Sequence, residues 1–211
     1  MKQVSAVWLP DEEQEITKFL LANTVDGVGT YQRGKLLAAL AFTKQFRTCL
    51  DIGAHCGTWA MQLVPKFKTV HCFEPVARHR ECLVLNAPKA IVHACALGVK
   101  QGKVKLAKGI KSTGDTCIDD EGEYESDLKT LDSFAFKDVD FIKIDCEGYE
   151  LFVLQGGEQT ILRERPTLIV EQKKGHAIRY GIPDTAAVKW LIERGFHLRG
   201  QICGDYILTP E

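Results

Sequence analysis

The sequence predicts an α/β protein with a doubly wound, mostly parallel sheet of seven strands, one of them antiparallel, and an N-terminal helical cover. Three observations support this fold. From residue 48 onwards, short apolar segments typical of buried strands alternate with amphipathic helical segments. The last two apolar segments, 196–202 and 205–208, meet at Gly204 and predict an antiparallel hairpin. A chain of 211 residues suits a single domain.

The first 46 residues predict two helices that precede the sheet. One runs from about residue 12 to residue 21 behind a cap at Asp11, and the other follows Thr30. We interpret these helices as a cover over a ligand cleft, with Tyr31 and Gln32 closing over the ligand. Residues 47–211 then form the core of the same domain.

The core segments follow one another in a regular order. The predicted parallel strands span residues 48–52, 69–73, 90–97, 141–145 and 167–171, with helices near residues 58, 78, 148 and 185. Residues 103–106 alternate between lysines and apolar residues and predict a hairpin arm. In open α/β sheets ligands bind at the carboxyl ends of the strands, so we look for functional residues there.

Composition excludes several classes of protein. With 45% hydrophobic and 26% charged residues and a net charge of −1, the chain lacks the global basic field of an obligate nucleic-acid binder. No apolar run approaches the roughly 18 residues that cross a bilayer, and the start lacks a secretory pattern. Eight cysteines without a Cys-x-x-Cys pair predict free thiols. We therefore expect a cytoplasmic protein with no membrane partner, whose oligomeric state is open.

The segment 48–57 predicts a buried strand that enters a glycine turn and then a helix. Gly53 and Gly57 allow a tight turn and a close approach to a ligand, and Asp51 lies at the end of the strand. The next strand ends in Glu74, 21 positions after Gly53. Because a carboxylate at that place can accept both hydroxyls of a ribose, the two strand ends predict an adenosine-type cofactor.

Two classes of enzyme combine this architecture with such a cofactor. A nicotinamide dehydrogenase would be expected to have Gly-x-Gly-x-x-Gly, whereas this chain has Asp51 followed by x-Gly-Ala-x-x-Gly. The closing antiparallel hairpin favours the methyltransferases that depend on S-adenosylmethionine.

Three sequence blocks resemble the FkbM-type methyltransferases. They are Leu50–Gly57, similar to Asp-x-Gly-Ala-Asn-x-Gly; Phe73–Pro75 with Asn86 and Ala96–Gly98; and Leu131–Ser133 with Ile142–Glu150 and Leu154–Gly156. His55 stands where the family usually has Asn, and Cys146 replaces an aliphatic residue. The resemblance implies a Rossmann-like class I methyltransferase that transfers a methyl group to an oxygen, often a sugar or natural-product hydroxyl.

The resemblance also implies the roles of the cofactor residues. The first block would bind the amino-acid end of S-adenosylmethionine, and Glu74 would bind its ribose. The predicted cofactor contacts are Asp51, Gly53, Ala54, His55, Gly57, Thr58, Glu74, Pro75, Ala96 and Asp145.

Methyl transfer from a sulfonium is an in-line displacement, so the remaining task is to remove a proton from the acceptor hydroxyl. A general base or a divalent metal can do this. The candidate catalytic residues are Asp145, Glu147, Lys143 and His176. Structural alternatives stay open: Glu147 could serve the helix that follows it, Lys143 could pair with a carboxylate, and His176 could be an ordinary loop residue.

A metal site is the second route to the same chemistry. Glu171 ends its strand as Asp145 ends the neighbouring one, and adjacent strands lie about 5 Å apart. The two carboxylates could hold one Mg²⁺ or Mn²⁺, because hard oxygen ligands suit these ions. This arrangement would be similar to that of metal-dependent catechol-type O-methyltransferases.

The sequence leaves the acceptor open. We expect a small-molecule or carbohydrate hydroxyl, in a pocket built from the N-terminal helices, residues 108–128 and the loop 172–184. The first alternative is a nucleic-acid acceptor whose phosphates contact the lysines of 100–111 and four further basic residues, Arg163, Arg165, Lys173 and Lys174. The second is a cofactor-binding module without turnover.

Overall fold

The computed structural model describes residues 1–109 and 112–210. Its centre is a seven-stranded sheet, whose strands are β1 (Thr48–Ile52), β2 (Thr69–Phe73), β3 (Ile91–His93), β4 (Val139–Ile144), β5 (Thr167–Glu171), β6 (His197–Ile202) and β7 (Asp205–Thr209). The order across the sheet is β6-β7-β5-β4-β1-β2-β3. Strand β7 runs antiparallel to both of its neighbours, and the other pairs are parallel. The predicted sheet, with one antiparallel strand, is confirmed.

Helices cover both faces of this sheet. In the described part of the chain they are α1 (Glu15–Ala22), α2 (Arg33–Leu40), α3 (Ala60–Leu63), α4 (Ala77–Asn86), α5 (Glu150–Gly156), α6 (Glu158–Glu164) and α7 (Ala186–Ile192). Side chains alternate along a strand, so Leu50 and Ile52 join a core with α5–α7, whereas Cys49 joins a core with α2–α4. Burial on both faces explains why these strands are apolar almost throughout.

The predicted strand 90–97 is divided in the structure, which corrects that boundary. After β3 the chain turns, with the Cys95 amide donating to the His93 carbonyl at 3.0 Å. Ala96–Leu97 then belongs to a second, four-stranded sheet, formed with Gly102–Ala107, Cys117–Ile118 and Tyr124–Lys129. The predicted hairpin arm 103–106 lies in this small sheet, above the carboxyl ends of the central strands.

The N-terminal segment contains the two predicted helices and also an unpredicted hairpin, Lys2–Val4 with Val7–Leu9. Helix α1 begins at Glu15, three residues later than expected, because the Glu13 carboxylate and not Asp11 accepts the Ile16 amide, at 2.9 Å. The hairpin is fixed to the core by the Asn86 amide, which bonds Trp8 and the Cys56 carbonyl. This last contact places the N-terminal segment beside the glycine turn.

The cysteine prediction is confirmed, because all eight cysteines are free thiols and five of them are buried. Within the described residues, no helix combines the length and apolar character that crossing a membrane requires.

Candidate functional site

Two adjoining cavities lie at the carboxyl ends of β1, β2 and β4. The inner pocket is mainly apolar and is lined by Phe73, Glu74, Pro75, Cys95, Ala96, Leu97, Cys117, Ile118 and Tyr149, among others. The outer cleft is larger, about 850 Å³, and its lining includes Phe19, Tyr31, Gln32, Trp59, Thr58, Lys143 and Lys173. Both cavities share Gly53, His55, Gly114, Asp145 and Glu147. One elongated ligand could therefore occupy both.

Gly53 is the point at which three strand ends meet. Its φ is +73°, and a Cβ atom there would overlap the Asp145 carbonyl oxygen. The amides of Gly53 and Ala54 both donate to the Phe73 carbonyl at 3.1 Å, which ties the end of β1 to the end of β2. Only glycine allows this conformation together with so close an approach to β4.

Asp51 and Lys143 form a buried ion pair beneath the glycine turn. Asp51 is fully buried, and its Oδ1 lies 3.2 Å from Lys143 Nζ, which also donates to the Gly53 carbonyl at 2.6 Å. Although burial acts to lower the pKa of Lys143, the Asp51 charge raises it well above its usual range. Lys143 therefore pairs with a carboxylate, as its structural alternative expected, and the catalytic role predicted for it stays a prediction.

Glu74 faces the inner pocket and is held from two sides. Its Oε2 accepts the His55 amide at 2.9 Å, and its Oε1 accepts the Val76 amide at 2.8 Å and lies 3.2 Å from His79 Nδ1. Burial acts to raise the pKa of Glu74, but the hydrogen bond and charge of His79 outweigh it, so the net shift is downward. Glu74 Oε2 accepts one hydrogen bond and keeps a second acceptor position, which a ribose hydroxyl could use.

His55 occupies a left-handed position, with φ +48°, on the boundary between the two cavities. Asparagine tolerates this conformation well, which gives a physical reason for its usual presence there. The His55 ring lies 4.2 Å from His79, centroid to centroid, and its Nε2 is 2.8 Å from Thr113 Oγ1. Burial lowers the pKa of His55 to about 3, so the ring is neutral.

Thr113 was not predicted as a site residue, and it connects the site to the N-terminal segment. Its hydroxyl and its amide both donate to Glu13 Oε2, at 2.6 and 2.8 Å, and Ser112 donates to the same oxygen at 2.9 Å. The Ser-x-x-Asp pattern of 112–115 is a capping box and signals the turn, but not its contact with Glu13. Glu13 is fully buried, so this network closes one side of the cleft.

Asp145 borders both cavities, as predicted for the end of β4. Its amide donates to the Ile52 carbonyl at 3.1 Å, and its carboxylate lies 3.7 Å from Lys143 Nζ. Burial acts to raise the pKa of Asp145, but the charge of Lys143 outweighs it and keeps the pKa below its usual range. An ionised carboxylate therefore faces the junction of the two cavities.

Glu147 also borders both cavities, and it contacts His176, a pairing that sequence spacing did not indicate. His176 Nδ1 lies 2.8 Å from Glu147 Oε2. Gly148, with φ +100°, allows the approach, because a Cβ there would lie 2.5 Å from the His176 carbonyl group. Glu150 holds the turn by accepting the Cys146 and Gly148 amides, both at 2.9 Å. His176 itself lines neither cavity and lies behind Glu147.

The surroundings of Glu147 and His176 shift the pKa of each side chain. Burial raises the pKa of Glu147 to about 8, with a further contribution from Asp145. Burial and the charge of Lys173 lower the pKa of His176. A neutral imidazole beside a buried carboxyl group can hold or receive a proton.

The end of β5 carries a second buried carboxylate. Glu171 is 1% exposed, and its Oε1 lies 2.6 Å from Lys173 Nζ, which is also 3.9 Å from Glu147 Oε1. Burial and the Asp145 charge raise the pKa of Glu171 to about 10. Gln172 faces away, because its side-chain oxygen accepts the Ala187 and Val188 amides at the start of α7.

The structure places the predicted cofactor residues in two groups. Eight of them line one or both cavities: Gly53, Ala54, His55, Thr58, Glu74, Pro75, Ala96 and Asp145. Asp51 lies under the floor, and Gly57, with φ +79°, packs against Leu83, whose Cγ would lie 3.1 Å from an added Cβ. These two residues shape the turn and do not line either cavity.

The basic residues considered for phosphate binding are largely engaged with other groups. Lys103 Nζ lies 2.7 Å from Asp127, and Lys108 Nζ lies 3.8 Å from Glu12. Arg165 donates to the Arg194 and Gly195 carbonyls. Lys111 lies outside the described residues.

The comparisons with known proteins agree with this architecture. The model of the Methyltransferase FkbM domain matches residues 51–198. Among solved structures, Methyltransferase FkbM from Methylobacillus flagellatus KT is similar, with 19% identity and a TM-score of 0.51, over 85% of this chain. This chain spans only 46% of that protein. The comparison with curated proteins found no match.

Two further structures share the fold at lower sequence identity. N-methyltransferase NodS from Bradyrhizobium japonicum WM9 has 13% identity and a TM-score of 0.51, over 85% of this chain and 95% of that one. Precorrin 8w decarboxylase from Methanobacterium thermoautotrophicum has 13% identity and a TM-score of 0.50, over 85% and 90%. These similarities show a class I methyltransferase-like fold.

Proposed function

Because the chain belongs to the FkbM methyltransferase family, as the three sequence blocks predicted, we propose that it transfers a methyl group from S-adenosylmethionine to a hydroxyl of a sugar or other small molecule. The observation that carries this proposal is the pair of adjoining cavities at the carboxyl ends of the central strands, which meet at Asp145 and Glu147.

The residues present fit the cofactor. The inner pocket offers apolar walls for an adenine ring and the Glu74 carboxylate for ribose hydroxyls, and the outer cleft is polar where the amino-acid end would lie. Gly53 lines both cavities, and a Cβ there would overlap the Asp145 carbonyl oxygen, so glycine allows β1 and β4 to approach each other at the junction. When bound, S-adenosylmethionine supplies an electrophilic methyl group on a sulfonium centre.

Glu147 is placed to receive the acceptor's proton. It borders the junction of the cavities, 5% exposed, and His176 Nδ1 lies behind its carboxylate at 2.8 Å. Asp145 stays ionised beside it and orients the acceptor hydroxyl. Lys143, which pairs with Asp51, donates to the Gly53 carbonyl and so fixes the floor against which the reacting groups lie. Positioning and proton removal together are what an in-line displacement by a hydroxyl requires.

The lining of the outer cleft supports a polyhydroxylated acceptor. Aromatic side chains of Phe19, Tyr31 and Trp59 stand beside charged groups that can bond hydroxyls. A nucleic-acid acceptor is disfavoured, since several of its candidate phosphate contacts, such as Lys103, Lys108 and Arg165, already pair with acids or carbonyls. The second alternative, a cofactor-binding module without turnover, predicts that cofactor binding is present and methyl transfer absent.

The first experiment separates these classes. Calorimetry with S-adenosylmethionine and NAD in parallel should show binding of the former only. Both ligands contain adenosine, but the sequence has Asp51-x-Gly-Ala-x-x-Gly in place of the Gly-x-Gly-x-x-Gly turn that accommodates a dinucleotide pyrophosphate. A labelled methyl donor should then be tested against sugars, nucleosides and oligonucleotides. Incorporation of the labelled methyl group into sugars supports the proposal. Incorporation into oligonucleotides only would replace it with the nucleic-acid hypothesis.

The second experiment tests Glu147. We expect Glu147→Gln to lower kcat by about 100-fold or more and to leave cofactor affinity within about threefold, because the amide cannot take a proton. Glu193→Gln, on the exposed end of α7, is the matched control and should keep wild-type turnover. Full activity of Glu147→Gln would remove this residue from the mechanism.

A further inference from the structure

Three acidic side chains cluster near the end of β5, and two of them are almost completely buried. Glu147 and Glu171 are 5% and 1% exposed, and Asp145 borders the same space. Lys143 is committed to Asp51 at 3.2 Å and lies farther, at 3.7 Å, from Asp145. Buried carboxylates are stable only when a cation or a proton compensates them.

The same residues form a set that could bind a metal. Among the residues that the structure describes, Glu147, Glu171 and His176 each offer one ligand atom, and these atoms lie within 4.8 Å of one another. Two carboxylate oxygens and one imidazole nitrogen suit a divalent ion such as Mn²⁺. Asp145, which the sequence paired with Glu171 as a metal ligand, is not in this three-atom group.

A side chain of the protein already supplies positive charge there. Lys173 Nζ lies 2.6 Å from Glu171 Oε1 and 3.9 Å from Glu147 Oε1, so the ammonium contacts two of the three ligand residues. A metal bound to Glu171 through that oxygen would sit beside the ammonium and be repelled by it. Lysine and metal therefore compete for one position.

We infer that the Lys173 ammonium holds the position that a divalent cation would otherwise take between Glu147, Glu171 and His176. Lys173 is then a positioning residue: it compensates Glu171 and keeps Glu147 at the junction of the cavities. The predicted Mg²⁺ or Mn²⁺ at Asp145 and Glu171 becomes unnecessary for activating the acceptor. An effect of Lys173 on methyl transfer rests on the proposed function, whereas the position of its ammonium between Glu147 and Glu171 does not.

The test measures Mn²⁺ binding to the full chain by electron paramagnetic resonance, with neither cofactor nor acceptor present. We expect Lys173→Met to bind one Mn²⁺ at least about tenfold more tightly than the wild type, because removing the ammonium leaves three ligands free. Lys173→Arg keeps the charge and should behave like the wild type. Adding Glu171→Gln to Lys173→Met should abolish the gained binding.

Two results would overturn the inference. One is wild-type Mn²⁺ binding as tight as that of Lys173→Met and lost in Glu171→Gln, since the site would then be a metal site. The other is a folded Lys173→Met protein that binds no Mn²⁺. If Lys173→Met does not fold, Lys173→Gln replaces it, because it also removes the ammonium, and the same gain of Mn²⁺ binding is expected.

A kinetic measurement separates this inference from the proposed function. Wild-type methyl transfer should be unchanged after EDTA treatment, whereas Lys173→Met should be slow and be accelerated by added Mn²⁺. EDTA-sensitive wild-type turnover would contradict the inference while supporting the methyltransferase proposal. If no acceptor is methylated, the proposed function fails, and Mn²⁺ binding still tests Lys173.

Discussion

At the scale of single residues, the site is built from backbone conformations that most side chains avoid. His55 and Glu147 have φ values of +48° and +54°, and Gly53 and Gly148 have +73° and +100°. For a residue other than glycine, a left-handed conformation costs roughly 1–2 kcal/mol. Contacts compensate this strain: Glu74 binds the His55 amide, and His176 contacts the Glu147 carboxylate. Strain of this kind is often found at functional sites.

Gly53→Ala tests the close approach between the glycine turn and the Asp145 carbonyl oxygen. We expect the substitution to lower the free energy of unfolding by at least about 2 kcal/mol, because the added Cβ would meet the Asp145 carbonyl oxygen and φ is positive. Urea denaturation, followed by far-UV circular dichroism, measures the loss.

The matched control is Gly34→Ala in helix α2. No atom lies within 4 Å of its Cβ position, and alanine favours a helix by roughly 0.5–1 kcal/mol over glycine, so this variant should be equally or more stable. Equal stabilities for Gly53→Ala and the wild type would mean that β4 does not approach the turn as closely as described.

At the scale of elements, the sheet edge at β2 and β3 carries a pair of histidines. His71 Nδ1 lies 3.0 Å from His93 Nε2, and the His71 ring packs 4.6 Å from Phe136. A hydrogen bond between two imidazole nitrogens needs one donor and one acceptor, so at least the accepting ring is neutral. Burial lowers the pKa of His71 to about 4, and burial also lowers the pKa of His93.

This pair should make the protein sensitive to acid. The unfolded chain takes up protons near the ordinary histidine pKa of about 6.5, whereas folded His71 does so only near about 4. The unfolded state therefore binds more protons between these values, and the stability present above pH 6.5 is lost as the pH falls toward 4. The slope for one group is at most about 1.4 kcal/mol per pH unit.

His71→Gln isolates this contribution. The stability difference between the wild type and His71→Gln, from urea denaturation at several pH values, should be constant above about pH 7.5 and should shrink as the pH drops to 5. Parallel stability curves over that range would show that His71 does not titrate with folding.

At the scale of the whole molecule, the N-terminal segment and the core are joined by buried polar contacts. Lys35 of α2 pairs with Asp205 of β7, with side chains 12% and 6% exposed. Glu13 binds the turn at 112–113, and Asn86 connects Trp8 with the Cys56 carbonyl. These contacts explain how two helices that precede the sheet can wall the outer cleft.

Breaking the Lys35–Asp205 pair should destabilise the whole chain. Lys35→Met is expected to lower the free energy of unfolding by about 3–5 kcal/mol, because it leaves a buried carboxylate without a cation. Removing both charges in Lys35→Met/Asp205→Leu should recover part of that loss. Denaturant unfolding monitored by tryptophan fluorescence measures all of these variants.

The comparison pair for this experiment is on the surface. Lys18 pairs with Glu15, with side chains 70% and 55% exposed, so Lys18→Met should change stability by less than about 1 kcal/mol. If Lys35→Met were as mild as Lys18→Met, the ion pair between α2 and β7 would not hold the cover in place.

Much of the fold could be predicted because its signals are local. The predicted boundaries of β1, β2 and β5 match the structure, since each is a short apolar run bounded by polar or glycine residues. The closing hairpin could also be predicted, because Gly204 lies between its two apolar segments. The division of the predicted strand 90–97 was not, because the pairing of Ala96 with Leu128 depends on a segment more than 30 residues away.

The amino-acid sequence by itself determined which chemical groups stand at the strand ends: the glycine turn, Glu74, Asp145, Glu147 and Glu171. It could do so because strand periodicity and short motifs depend only on neighbouring residues. Only the tertiary structure decided which of these groups meet, placing Asp51 on Lys143, His176 behind Glu147 and Lys173 on Glu171. Such pairings depend on how distant segments pack and on the charge compensation that burial demands. A local sequence pattern predicts neither the packing nor the compensation.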